Sequence, residues 1–315
     1  MIDRRTSLLA LLPPGFGLAG CATVPPATRA LREVRPPGLP AAFELHEVPF
    51  FPHTAYHCGP AALATVLGAL GKSVDPDSIA ADVVLPARRG SLQVEMLAAA
   101  RRHDALAVAL PADLAALLGE VAAGRPVLVL LNLGLAWFAA WHYAVLVGYD
   151  LERETVVLRS GTTRRDLFAL RTFEHTWARA GSWSFVAVVP GDVPQSASER
   201  AATEASIAFE RVAAPALAAR AYRAALSRWP RNLLLAMGFG NASYAAGDFG
   251  AAAEAFAAAA ALHDSAAAWN NLAEARLRLG QRDLARAAAL RALARAEAAE
   301  PMWLPAARET LGRLE

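Results

Sequence analysis

Cysteine is nearly absent. The 315-residue chain holds two, Cys21 and Cys58. Lysine is scarcer still: Lys72 stands alone against an abundance of arginine, which together with the heavy use of alanine reads as coding bias and not as function. Charge imbalance is also missing. A net charge of +2 is too small to point to a nucleic-acid partner. The apolar stretch near the start, "SLLALLPPGFGLAG", is short and broken by Pro13 and Pro14, which excludes a membrane-spanning helix there. At 55% hydrophobic and 19% charged residues, the remainder suits a globular chain with a real core, long enough for two domains.

Arg4 and Arg5 precede the apolar stretch, and it ends in Leu18-Ala19-Gly20-Cys21. A positive start, a short apolar region and small residues before a break read as a secretory signal peptide. The Leu-Ala-Gly-Cys ending resembles a bacterial lipobox. The resemblance implies that Cys21 is lipidated and becomes the first residue of the mature chain; an ordinary signal peptide with a chance cysteine is the alternative. Ala22, with no Asp after the cysteine, implies sorting to the periplasmic face of the outer membrane. Residues 1–21 are thus expected as the signal, and the Pro- and Arg-rich residues 22–43 as a tether from lipid to domain.

Cys58 is then the one thiol of the mature chain. No intramolecular disulfide is available, a Cys-rich metal site is excluded, and no motif calls for a cofactor or metal. It sits in "YHCGPAALATVLGAL". Leu63, Val66, Leu67 and Leu70 mark one apolar face of a helix, Pro60 suits its first turn and Gly71 its stop. Cys58 falls just before that first turn, where free N–H groups favour a thiolate. Two readings stand: an activated nucleophile, or a small buried residue of no chemical interest. Some eighty residues later His142 opens "WHYAVLVGYD", an apolar run read as a buried strand. A cysteine at a helix start and a histidine opening a core strand form a papain-type arrangement, in which the imidazole takes the thiol proton and returns it to the leaving group.

"PFFPHTAYHCGPAALATVL" and "WHYAVLVGYD" resemble the two signature segments of the double-glycine, bacteriocin-leader cysteine peptidases, family 39 of the cysteine peptidases. The similarity is to exported, stand-alone members with helical repeats behind the peptidase domain, and it covers residues 44–190. It implies a papain-like fold with Cys58 as nucleophile and His142 as general base. Two positions depart from the family pattern. The oxyanion-hole Gln is matched by His53, whose N–H is still a donor. The Asp or Asn on the following strand, usually followed by Pro, is matched by Ser160 and Gly161 in "TVVLRSGTTRRD". A serine accepts a bond from imidazole but stabilises no imidazolium by charge. Asp150 and Asp166 are the carboxylates nearby in sequence.

The fold class expected is α+β and papain-like, followed by an all-α repeat domain. Helices are expected in "VDPDSIAADV" with Asp75 as cap, in residues 91–103 with Ser91 as cap, and in 111–124 closed by Gly124. Strands are expected in "ALAVAL", "PVLVLLNLG", "WHYAVLVGYD", "TVVLRSG" and "SFVAVVP", forming a mostly antiparallel sheet. Trp137, Phe138 and Trp141 suit the core or a cleft beside His142. Residues 191–199 have linker composition. From 200 to 315 the chain is Ala-rich and helical: Ala218, Tyr222 and Ala225 are echoed by Ala252, Phe256 and Ala259 and by Ala285, Ala289 and Ala292, with Gly247 answering Gly280. That period resembles tetratricopeptide repeats, three of them, closed by a capping helix.

Three functions remain open on these residues. One is a lipid-anchored peptidase acting on a peptide or protein, its repeats recruiting substrate or a protein partner. Another is a degenerate peptidase-fold scaffold in the cell envelope, which the changes at His53 and Ser160 favour. The third is thiol acyl transfer to an amine.

Overall fold

The apolar runs between the turn signals assemble one 7-stranded antiparallel sheet in a computed structural model that describes residues 24–53, 57–85, 90–135 and 137–314. Cys21 and the expected signal lie outside the described residues. The sheet path is β4 (Leu106–Ala109), β9 (Ser184–Val188), β5 (Val127–Asn132), β6 (Trp141–Asp150), β7 (Thr155–Ser160) and β8 (Thr163–Ala169); β1 (Ala42–Glu44) pairs with the far end of β6. β5 and β9 are buried along their whole length because both faces of the sheet are covered. Val127, Val129 and Leu131 enter one core, and Leu128 and Leu130 the other, by the two-residue alternation of a strand.

The second core holds α2 (Cys58–Ala69), α3 (Pro76–Val83) and α4 (Gln93–Arg102). The sequence predicts one apolar stripe on α2; the structure buries it from Gly59 through Leu67, as a central helix enclosed on all sides. Asp75 caps α3 as expected, accepting from Asp77 N–H. Ser91 does not cap α4. Leu92 takes that place, and Ser91 lies in β3 (Gly90–Ser91), a short strand paired with β2 (Val84–Leu85). A Cβ on Gly59 would come within 2.6 Å of Ser91 Oγ, so the glycine after Cys58 is what lets β3 close on α2.

The first core holds α1 (Pro26–Glu33), α5 (Leu114–Ala122) and α6 (Leu170–Arg179), the last unforeseen although Leu170, Phe173 and Trp177 have helical spacing. Within the stretch expected as a tether, residues 22–43, α1 is packed onto the domain. Glu174, buried on α6, accepts from Ala27 and Thr28 N–H at 2.8 and 2.6 Å, satisfying orphan donors at the start of α1, while Leu31 and Leu39 join the core.

The 191–199 segment also differs from a free linker. Asp192 pairs with Arg125, and the fully buried Glu120 accepts from Ser196 N–H and Oγ at 2.7 and 2.6 Å. α7 (Glu199–Glu210) packs on β4, and its Ala205 and Phe209 share a core with Leu106 and Val188. Beyond it α8 (Pro215–Arg228), α9 (Leu233–Ala245), α10 (Phe249–Leu262), α11 (Ala266–Arg278), α12 (Arg282–Ala298) and α13 (Leu304–Gly312) each pack on the next in chain order. Small residues meet large ones at the periodic positions: a Cβ on Gly238 would lie 2.4 Å from the Tyr222 ring, and one on Gly240 2.4 Å from that of Phe256. Gly247 and Gly280 have φ of 83° and 73°, the left-handed conformation that ends α9 and α11. Among the described residues no helix is long and apolar enough to cross a membrane.

Candidate active site

Cys58 is the first residue of α2, one step further into the helix than expected, with His57 as a cap that makes no side-chain bond. Its thiol is free and half-buried. Burial pushes the thiol pKa up. The backbone N–H groups of Tyr143, Gly59 and Cys58 itself pull the other way, without overcoming the burial. This differs from the expectation of a depressed thiol pKa, because the loss of water around the sulfur outweighs the N–H groups that the helix start and Tyr143 bring to it.

Tyr143 ties the Cys58 helix to β6. Its hydroxyl donates to the Ser91 carbonyl at 3.1 Å, its ring packs edge-on to Trp183, and its backbone faces the thiol. The preceding residue is His142. Its Nε2 lies 2.9 Å from Ser160 Oγ. Burial, and secondarily the neighbouring His53, lower its pKa to about 4. The ring is therefore neutral near pH 7. With Nε2–H donating to Ser160, Nδ1 keeps the free lone pair a general base needs. No hydrogen bond joins the His142 ring directly to the Cys58 thiol among the described residues.

His53 belongs to the same cluster. Its ring stacks on that of His142, centroids 6.0 Å apart, and its backbone N–H donates to the Gly161 carbonyl at 3.0 Å. A closed circuit results: His53 to His142 by stacking, His142 to Ser160 by a hydrogen bond, and the residue after Ser160 back to His53. His53 Nδ1 faces the Phe51 carbonyl at 3.3 Å, and Nε2 is buried with no partner among the described residues. Burial lowers the pKa of this ring too. On its outer side His53 lines a cleft of about 320 Å³ with His57, Pro60, Ala61, Asp77 and Thr162.

Neither carboxylate near in sequence reaches His142. Asp150 ends β6 where His142 begins it, and accepts from Glu152 and Arg153 N–H. Asp166 stands opposite Leu158, away from the β7–β8 turn that carries Ser160. One residue that sequence reasoning missed is Arg159. It is buried, and it donates to the carbonyls of Leu45, His46, Val48 and Arg164, strapping the segment that leads to His53 onto β7. An isolated arginine in an apolar strand run was its only signal.

Cys58, His142 and Ser160 all lie within one stretch that matches a known family. Residues 45–185 match the model of the Peptidase_C39 like family. The matched stretch begins just after β1 and ends within β9, so it lies in the α+β part and includes none of α7–α13. A solved structure described as a C39-like peptidase from Bacillus anthracis aligns at 20% identity over 47% of this chain and 97% of its own, with a TM-score of 0.39. No curated protein matches the chain.

Proposed function

We propose that the chain is an exported, lipid-anchored thiol peptidase. The observation that carries this is the placement of Cys58 at the first turn of α2 with its sulfur against the backbone of Tyr143, the neighbour of a neutral His142. In this reading His142 Nδ1 takes the thiol proton as Sγ attacks a peptide carbonyl. Backbone N–H groups near Cys58 hold the oxyanion, and His53 joins them only in the tautomer that moves its proton from Nδ1, now against the Phe51 carbonyl, to Nε2. The C–N bond then breaks, the proton passes from His142 to the leaving amine, and water hydrolyses the thioester. Because both groups are neutral at rest, the thiol is activated by general-base transfer and not as a preformed ion pair. The separation of thiol and imidazole asks for a side-chain rotation on substrate binding, and apo catalytic bonds are often long.

The interlock of Tyr222 with Gly238 and of Phe256 with Gly240 supports the tetratricopeptide reading of α8–α13, and with it recruitment of a peptide or protein partner. Export and lipidation at Cys21 rest on the lipobox alone.

The test is digestion of a denatured peptide mixture read by mass spectrometry. New termini are expected with the native chain and none with Cys58→Ala or His142→Ala. Identical peptide maps from native and Cys58→Ala chains overturn the peptidase reading. They leave the scaffold reading, which the absent carboxylate and the missing thiol–imidazole bond favour.

A further inference from the structure

The β5–β6 hairpin carries the largest group of exposed apolar side chains near the candidate site. Trp137 is 84% exposed, Phe138 78%, Trp141 59% and Leu135 55%, and residues 133–141 include no charged side chain. An apolar patch of this kind on a soluble surface marks an interaction site. The exposure is built into the backbone. Leu133 N–H bonds the Ala140 carbonyl, Leu135 and Phe138 exchange bonds of 3.0 and 3.2 Å, and Asn132 Oδ1 accepts from both Gly134 and Ala140 N–H at 3.0 Å. A Cβ on Gly134 would lie 2.2 Å from the Phe138 carbonyl oxygen, so the tight return depends on glycine.

The direction in which the N-terminal chain leaves the domain says what covers this tip. α1 runs antiparallel to α6. Near the end of α1, Arg32 pairs with Glu154, whose carbonyl receives Leu170 N–H at the start of α6. At the beginning of α1, Ala27 and Thr28 meet Glu174 further along α6. α6 ends at Arg179, which donates to the Asn132 carbonyl at the hairpin base, 3.0 Å away. Glu174 precedes Arg179 by about 7.5 Å of helix rise, so the chain before Pro26 leaves toward the hairpin end of α6. Val24 is three residues from Cys21, a reach of at most about 11 Å.

We propose that the hairpin is a membrane-docking element, seating Trp137 and Phe138 in the interface of the bilayer that holds the Cys21 lipid. This rests on the lipid anchoring proposed above only for which bilayer is met. Trp and Phe are side chains that partition to a membrane interface. Docking sets His142, directly after Trp141, close to the headgroup plane, so that substrates presented at the membrane surface reach the site first.

The test uses a chain starting at Ala22, which keeps every described residue and lacks the acylation site. It is floated with uncharged vesicles of phosphatidylcholine and phosphatidylethanolamine, 1:1, so that partition reads apolar insertion and not charge. Expected is reversible partition with a blue shift of tryptophan emission, and at least a tenfold fall in partition for Trp137→Ser/Phe138→Ser at unchanged melting temperature. No partition of the unsubstituted chain, or equal partition of the double variant, overturns the proposal. So does a dimer in solution that the double variant dissolves, which assigns the hairpin to a second copy. Cys21→Ser in the full chain, followed by cell fractionation, tests the anchor separately.

Discussion

His142 Nε2 lies 2.9 Å from Ser160 Oγ, a hydroxyl where the resemblance calls for a carboxylate or amide. A hydroxyl orients the ring without stabilising its charged form, which agrees with a pKa held near 4. Ser160→Asp puts an anion against the imidazole and is expected to raise that pKa by about one to three units. A histidine-resolved NMR titration reads it directly. An unchanged titration means that the Asp carboxylate does not reach the ring.

Cys58 is expected to alkylate as a poorly ionised thiol. Burial disfavours its thiolate, so the iodoacetamide rate should rise with pH to a midpoint above the roughly 8.5 of a free cysteine. Labelling that saturates near neutrality would mean that the backbone N–H groups outweigh burial.

Stability should fall with acid in a defined window. The folded state holds His142 at about 4 and an unfolded chain at about 6.5, so between these values the unfolded state binds more protons. The contribution is intact above 6.5 and is lost as pH drops through the window; His53, also lowered, acts in the same sense. The melting temperature of the native chain should decline across this range more steeply than that of His142→Gln. Parallel curves would count against a buried neutral imidazole.

Residues 190–200 should resist limited proteolysis. Glu120, fully buried, holds Ser196 and Arg125. Arg125→Ala strands that charge, at a cost of about 3–5 kcal/mol. Urea unfolding should show the loss, and trypsin should then cut at Arg200. A native chain cut there as fast as the variant would mean that these contacts do not hold the segment.

Gly238→Leu tests the helical array. Its first side-chain atom would fall 2.4 Å from the Tyr222 ring, and overpacking costs about 1–3 kcal/mol. A lower denaturation midpoint is expected, with Cys58 labelling unchanged, since the substitution is remote from α2.

Local physics made much of this protein readable from its residues. Apolar runs between turn signals located β5, β6, β7 and β9, and Asp75 and Gly124 mark helix ends where the chain has no better choice. The Cys-Gly-Pro segment and the His-Tyr-Ala-Val strand were visible as candidates because rare chemistry stood at element boundaries. β8 was not readable: Arg164, Arg165 and Asp166 have no strand pattern of their own, and the strand exists because β7 offers it an edge to pair with. Composition also misled. Proline and arginine suggested a tether over 22–43, and glycine and proline a linker over 191–199, but Glu174 and Glu120, distant in sequence, hold residues of both. The ionisation of Cys58 and His142 was likewise beyond local reading. A helix start and a nearby imidazole argue for charge, and only the packed core, by excluding water from both, decides for the neutral forms. The same holds for Trp137 and Phe138. Their side chains suit a core in any sequence, and it is the hydrogen-bonded return of the hairpin, clear of the described helices, that leaves them in the open.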